Sequence, residues 1–526
     1  MARRHLFAGR FAGFAPVTGA LWLRPGQRAS SPVTGASDSV SRLGQRHPVS
    51  RRWRQQRTGL FNVRLSTRRL RVFISTGEVS GDMHGAALAR SLKQQAMHRG
   101  GSRQQQQLLL LRGVGGPAMR QEGVELYADT LRISSIGLYE ALRFVVPAYL
   151  AYEKAKKELL EDPPDVAVLI DYTGPNMALA TWFRQNLPGV PVISYIGPQQ
   201  WIWEANGKPA HRLLDYFPIL ATCCRCLVAI FPLEAAFYCR KLEELGALPN
   251  PPPQIVYVGH PILDLVEPVT RDAARAMLPW TSSEHVCVAL MVASRLQEIG
   301  ALLPATTRAA LAMEKSLEAK DPPKRIRFII PTARPEFSDQ IRRVLLDQGV
   351  PSSRIASWDP NLREMHPETL FFLVPRDYAR LVLAAADLAI CKSGTVNLEA
   401  AVLGVPQIVL YRLSWTSAFV IRHLFQMQLP YVSAVNVVCL DQAIVPELLQ
   451  EHVTPERIHE EAMALLENRN GCADRMRHSY QSQVLPRLRL AEDCPEPVVE
   501  RTAAGRAAAV VWRYLDQAQE SRTLVT

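Results

Sequence analysis

The chain has 526 residues, 48% hydrophobic, 21% charged and 7% aromatic, a balance that excludes a disordered or low-complexity protein. At roughly 100–200 residues per domain it has room for two to four domains. Its net charge of +12 is unevenly spread: residues 1–70 hold 14 Arg, no Lys and one acid, Asp38, while the rest holds 47 basic and 48 acidic residues. A nucleic-acid-binding protein carries its basic footprint on a folded domain, so the near-neutral body argues against nucleic acid as a partner.

In the basic segment, Arg3, Arg4 and Arg10 flank Leu6, Phe7, Phe11 and Phe14. This Arg-rich, acid-poor amphipathic pattern is that of an organellar transit peptide, with a basic tail as the bland alternative. The dominance of Arg favours mitochondrion over plastid. No stretch approaches the roughly 18 apolar residues of a spanning helix. The longest candidate, Phe144 to Tyr152, contains Pro147.

From Arg71 onward, strand, loop and helix alternate. Val72–Ser75 reads as a strand, Gly77–Gly81 as a loop and Asp82–Gln95 as a helix. Strands are expected at Leu108–Leu111, Val166–Ile170, Val190–Tyr195, Cys226–Phe231 and Ile255–Val258. A second series follows at Val286–Val292, Arg327–Ile330, Leu370–Val374, Leu388–Ile390 and Gln407–Leu410. Continuous apolar strands alternating with helices imply parallel sheets covered on both faces. The fold class is therefore α/β, with two facing Rossmann-like domains. The expected boundaries are 1–70 for the transit segment, 71–265 and 266–485 for the two domains, and 486–526 for a helical segment that packs back on the body. Nine cysteines show no metal framework; Cys223, Cys224 and Cys226 sit in Ile219–Pro232, which reads as a buried strand and its approach. Buried free thiols in a reducing compartment are the simplest account.

Five motifs carry candidate chemistry. Thr76 to Asp82 follows the first strand; its glycines permit a tight turn, Asp82 can cap the next helix, and such a loop can hold an anion or a sugar. A plain strand-to-helix turn is the alternative. Gly113-Val-Gly-Gly-Pro-Ala118 matches a dinucleotide fingerprint, but it follows the second strand rather than the first and no strand-end acid is expected about 20 residues on, so the match is discounted. Asp171 ends the strand Val166–Ile170, where ligands of parallel sheets gather, and is either a general base or a turn aspartate. Arg295, after Val286–Val292, suits a phosphate contact or a surface ion pair. Lys392 to Glu399 joins strand to helix around Ser393, Gly394 and Thr395, a ready diphosphate site, with Glu399 on the same helix face as Thr395.

Together these motifs resemble the lipid-A-disaccharide synthase family over most of residues 71–470. The resemblance rests on Gly77-Glu-Val-Ser-Gly-Asp82, Gly113 to Gly123, Ile170-Asp171 with Asn176, and Trp201-Ile-Trp203. It continues through Phe231-Pro-Leu-Glu234, Val258-Gly-His-Pro261 with Asp264, Ser294-Arg295 with Glu298, Ser393-Gly-Thr395 with Glu399, Tyr431-Val432 with Asn436, and Glu447-Leu-Leu-Gln450. With the basic leader, the chain looks like an organellar, mitochondrial-type member. The resemblance implies the paired-Rossmann GT-B glycosyltransferase fold and an inverting, cofactor-free and metal-free transfer. The substrates would be UDP-2,3-diacylglucosamine and 2,3-diacylglucosamine 1-phosphate. Asp171 would be the base and Arg295 the second catalytic residue. Gly77, Glu78, Ser80, Ser294, Glu298, Ser393, Gly394, Thr395, Glu399, Asn436 and Glu447 would serve the substrates. The sequence departs from the family pattern at Asp171-Tyr-Thr-Gly-Pro-Asn176, which lacks a second acid, and at Ala293, where a glycine is expected. Acylated substrates imply peripheral contact with a membrane, expected to be the inner membrane, for which Ile136 to Tyr152 followed by Lys154, Lys156 and Lys157 is the candidate; a buried helix is the alternative. A homodimer is a further expectation. The rival readings are another UDP-sugar transferase or epimerase of this fold, or a non-catalytic organellar homologue.

Overall fold

The computed structural model describes residues 69–77, 79–100, 109–130, 141–204, 215–246, 251–278, 285–292, 295–359, 366–412, 431–439, 442–490 and 500–523. The basic leader, Glu78, Ala293 and Ser294 lie outside them.

Two parallel sheets of seven strands form the frame. The first contains β1 (Leu70–Ser75), β2 (Leu109–Gly115), β3 (Glu125–Asp129), β4 (Val166–Ile170), β5 (Val192–Tyr195), β6 (Cys226–Ala229) and β7 (Gln254–Tyr257), in the order β3-β2-β1-β4-β5-β6-β7. The second contains β8 (His285–Met291), β9 (Arg325–Thr332), β10 (Ile355–Ser357), β11 (Phe371–Pro375), β12 (Leu388–Lys392), β13 (Gln407–Tyr411) and β14 (Glu447–Leu449), in the order β10-β11-β9-β8-β12-β13-β14. β4, β5 and β6 are buried along their whole length; in β4, Val-Ala-Val-Leu-Ile, every position is buried. Helices cover both faces, as an all-parallel sheet requires. The helices used below are α1 (Val79–Gly100), α2 (Ala141–Glu161), α3 (Thr173–Asn186), α4 (Pro232–Glu244), α5 (Leu296–Glu318), α6 (Val396–Val402) and α7 (Ala503–Thr523).

In each sheet the strand order reverses once. In the first, β1 has β2 on one side and β4 on the other. In the second, β8 has β9 on one side and β12 on the other. Such reversal points open a crevice beyond the carboxyl ends of the strands.

The chain then returns to its first half. Trp512 in α7 donates its indole N–H to the Leu92 carbonyl at 3.3 Å, and Gln95 donates to the Gly505 carbonyl at 2.6 Å. The guanidinium of Arg99 lies 4.8 Å from the centre of the Trp512 ring. Asp264 fastens the start of α7 by accepting from Ala503 N at 2.7 Å.

Three expectations need correction. The Gly113–Gly115 segment is the end of β2, not a loop; a Cβ on Gly113 would collide with the Ile74 carbonyl of β1, so the glycine serves strand packing. The approach to β6 is a helix, Phe217–Cys223, because Pro218 at its first turn suits helix initiation. Helix α1 begins at Val79, so Ser80, Gly81 and Asp82 are already helical, and Asp82 caps a different helix. Its carboxylate accepts from Gly116 N at 2.8 Å, Ala118 N at 2.9 Å and Met119 N at 3.1 Å. These bonds occupy the amides that a dinucleotide pyrophosphate would need.

Candidate active site

The first crevice holds Gly77 at the end of β1 and Asp171 at the end of β4. Asp171 and Tyr172 both adopt left-handed backbone (φ 51° and 46°), and Ile196 across from them has φ 58°. Asp tolerates this region, whereas a β-branched Ile there is strained, and such strain gathers at functional loops. The knot is held by hydrogen bonds. Asp171 N donates to the Tyr195 and Ile196 carbonyls at 3.2 and 3.1 Å. Asn176, fully buried in α3, donates to the Ile170 carbonyl at 3.1 Å and to the Asp171 carbonyl at 2.7 Å, and accepts from Ser75 Oγ at 2.7 Å. Asn176 therefore ties the ends of β1 and β4 together and fixes Asp171. Gly77 is required by Tyr172: a Cβ there would fall inside the tyrosine ring. Gly81 lies against Asp171, its would-be Cβ 4.0 Å from the aspartate Cβ.

Three further ionisable groups of the first half are withdrawn from water: Glu234 and His260 are buried and His84 is half-buried. The Glu234 carboxylate in α4 accepts from Ile230 N at 2.8 Å and Tyr238 OH at 3.1 Å. Burial pushes its pKa up to about 7 against those hydrogen bonds. Burial lowers His84 in α1 to about 4, and lowers His260 to about 3 with help from the charge of His84. His260 packs against Phe231 with ring centres 4.8 Å apart and planes tilted by 54°, and accepts from Ile262 N at 3.1 Å. These motif residues are packing and turn-forming groups; Cys224 and Cys226 join them as buried thiols, with burial pushing Cys226 up to about 12.

The second crevice brings two expected sites together. The register Met291↔Cys391 sets the loop carrying Arg295 beside the loop carrying Ser393, Gly394 and Thr395. Arg295 is exposed at the N-cap of α5, and Glu298 is in that helix's first turn. Thr395 is the N-cap of α6, so the amides of Thr395 and Val396 have no intrahelical partner. Gly394 N is already taken by Asn397 Oδ1 at 3.0 Å. Glu399 lies 3.5 Å from Arg380, which also donates to the Leu265 carbonyl at 2.6 Å.

Other expected ligands brace this crevice. Ser393 Oγ donates to the Val432 carbonyl at 2.5 Å. Glu447 accepts from Val432 N and Ser433 N, both at 2.9 Å, and from Asn436 Nδ2 at 2.8 Å. Asn436 is fully buried and also accepts from Ile444 N at 2.7 Å and Val445 N at 2.9 Å. Asn436 and Glu447 hold the 431–433 loop against Ser393 rather than presenting free polar groups. Sequence reading named Lys392 and Tyr172 within motifs but gave them no role, and did not single out Ile196; nothing in a Tyr or an Ile announces positive φ.

The two halves meet near the N-terminal part of α1, where Arg376, just past β11 in the second half, approaches Met83 Sδ at 3.9 Å.

Residues 72–493 match the lipid-A-disaccharide synthetase family. The chain belongs to that family. It is 37% identical over 400 residues to the lipid-A-disaccharide synthase of Gloeothece citriformis, covering 76% of this chain and 91% of the relative. It is 36% identical over 455 residues to that of Synechocystis, covering 86% and 100%. A Staphylococcus aureus MnaA structure with UDP shares the fold, with a TM-score of 0.50 at 12% identity, covering 85% of this chain and 97% of that one. The paired-Rossmann glycosyltransferase architecture expected from the sequence is the one observed.

Proposed function

We propose that this chain transfers 2,3-diacylglucosamine from UDP to a hydroxyl of 2,3-diacylglucosamine 1-phosphate, with inversion, giving the β-1,6 disaccharide 1-phosphate and UDP. One observation carries the assignment of roles: the reversal points of the two sheets hold opposite chemistry. The first holds a carboxylate, Asp171, fixed by Asn176. The second holds cations and a helix start, with Arg295, Lys392 and the Ser393–Thr395 turn on adjacent strand ends.

The chemistry follows. Breaking the anomeric bond places negative charge on the departing diphosphate, and preorganised cations and N–H groups stabilise it as it grows. The attacking hydroxyl loses its proton on the opposite face of the sugar. An aspartate, ordinarily ionised above about pH 3.9, can accept it. Base and anion cradle on opposite walls of one cleft suit a single displacement.

Acylated substrates imply a membrane surface, and we assign contact with it to α2. Tyr149 and Leu150 are 61% and 60% exposed there, and Lys154 and Lys157 follow on the exposed side. Among the described residues no helix is long and apolar enough to cross a membrane. The leader supports import into mitochondria, with plastids as the alternative, and the inner membrane is then the surface. A homodimer is proposed from the sequence reading and is tested by sedimentation of the full chain.

The deciding experiment is complementation of a bacterium lacking lipid-A-disaccharide synthase, combined with UDP release measured on acylated and non-acylated donor pairs. Disaccharide 1-phosphate from the acylated pair alone supports the reading. Epimerised UDP-sugar, or no turnover, overturns it.

A further inference from the structure

Lys392 ends β12, a strand whose preceding residues Leu388–Cys391 are fully buried. Its Nζ lies 3.0 Å from Glu298 Oε1, and both side chains are 22% exposed. The stem arches over the turn, with Nζ 3.7 Å from where a Gly394 Cβ would stand. The backbone beneath is fixed by buried Asn397, which donates to the Lys392 carbonyl at 3.1 Å and accepts from Gly394 N at 3.0 Å. The ammonium therefore sits over the mouth of the second crevice on a rigid base.

Two features need such a cation. Helix α6 is only seven residues long and one amide of its leading turn is already taken, so the turn alone offers little positive potential. Glu298 places a carboxylate in the crevice, and an uncompensated carboxylate would repel a diphosphate.

We infer that Lys392 binds the diphosphate of the UDP donor, and that Glu298 contacts no substrate but holds Lys392 over the Gly394 turn. An ammonium has three donors, so it can keep Glu298 while giving the others to phosphate oxygens. Glu298 is thus a positioning residue. The inference rests on placing the donor at the second reversal point, and the test separates the two ideas.

The test is calorimetry of the full chain with UDP and with uridine. Lys392→Met should weaken UDP roughly 10–100-fold, the usual range for losing hydrogen bonds to charged groups, and leave uridine almost unmoved. Lys392→Arg should restore most of the affinity. Glu298→Gln keeps an amide oxygen to accept from Lys392 while removing a competing charge, so it should bind UDP at least as tightly as the parent, whereas Glu298→Ala, which frees Lys392, should weaken it. If Lys392→Met does not fold, Lys392→Gln, which still offers Glu298 a hydrogen bond, makes the same comparison. Equal losses for UDP and uridine in both the Lys392 and Glu298 variants would make the pair a structural strut and overturn the inference. Gly394→Val fills the space above the turn, where an added Cβ meets only ordinary contacts with Lys392. If it weakens UDP while Lys392→Met does not, Lys392 alone is misassigned. If it leaves UDP binding intact, the donor lies elsewhere and both ideas fail.

Discussion

Gly77→Ala tests how the first crevice is built. The added methyl would overlap the Tyr172 ring at its Cγ, next to the tyrosine backbone. The backbone under the ring is held, because the Tyr172 carbonyl accepts from Asn176 N at 3.1 Å and the preceding Asp171 carbonyl accepts from Asn176 Nδ2, so relief comes from turning the ring or from straining this segment. Overpacking of this kind costs about 1–3 kcal/mol, to be read as a lowered Tm. Moving Tyr172 also moves Asp171, and a displacement of about 1 Å at a reacting group can cost on the order of 10²-fold in rate. UDP affinity should stay at the parental value, since the donor crevice belongs to the other sheet. The second variant is Gly77→Ala with Tyr172→Gly. Glycine tolerates the left-handed backbone at 172 and removes the ring, so the double variant should be more stable than the sum of its single effects predicts. Parental Tm and turnover in Gly77→Ala would refute the close approach. Loss of UDP binding would show that the two crevices are not independent.

Further outcomes follow from the same geometry. Asp171→Asn keeps a side chain that tolerates positive φ, so it should fold and bind UDP normally while turnover falls roughly 10²–10⁴-fold; parental turnover would end the general-base role. Arg295→Ala should cost about 2.7–4 kcal/mol of transition-state stabilisation, and Ser393→Ala less, because its hydroxyl serves the Val432 loop; the reverse order in kcat/KM would exchange their roles. His84 and His260, lowered from 6.5, add stability that is lost as pH falls from 6.5 towards 4 and 3, whereas Glu234, raised from 4.5, adds stability that is lost as pH rises towards 7. These trends oppose each other between pH 4.5 and 6.5, so Glu234→Gln should make stability rise more steeply with pH there, and an unchanged curve would contradict a buried carboxyl. Residues 1–70 fused to a fluorescent reporter should direct it to mitochondria, and cytosolic fluorescence would reject the import reading.

Most strands that sequence alone found are those whose burial is nearly continuous; β7, a partly exposed edge strand, was found from its apolar run Ile255 to Val258. β4 and β12 are apolar runs because helices cover both faces, and no other element needs that composition over five residues. The three strands it missed, β3, β10 and β14, each lie at a sheet edge. An edge strand packs against fewer neighbours, so its composition is less constrained: β3 is Glu-Leu-Tyr-Ala-Asp and β14 is Glu-Leu-Leu. The glycine-rich end of β2 misled for the opposite reason. Glycine there answers to the close approach of β1, and a one-dimensional pattern cannot distinguish that from a turn.

The site was legible in position and less so in role. Asp171, Arg295 and Ser393 to Thr395 stand at the two places where strand order reverses, and a motif directly after a buried strand marks such a place. What the sequence could not assign is which polar atoms remain available once the chain has satisfied itself. Asn176, Asn397, Asn436 and Glu447 are the right residue types for sugar or phosphate contacts, yet all four are engaged by backbone groups. The reason is structural. A loop that turns sharply at the end of a buried strand strands its own amides and carbonyls, and those groups must be paired before any ligand arrives. Short polar side chains do that work here: Asn176 beneath Asp171, Asn397 beneath Lys392, and Asn436 with Glu447 beneath Val432. Above these braces the first wall carries a carboxylate, Asp171, and the second carries the longer cations Arg295 and Lys392. On the proposed reading, that division would hold the donor's diphosphate by charge while the acceptor's proton is removed at Asp171. It also predicts which substitutions act through the chain and which act through the substrate. Changing the asparagines should lower stability and turnover together, whereas changing Asp171 should lower turnover alone.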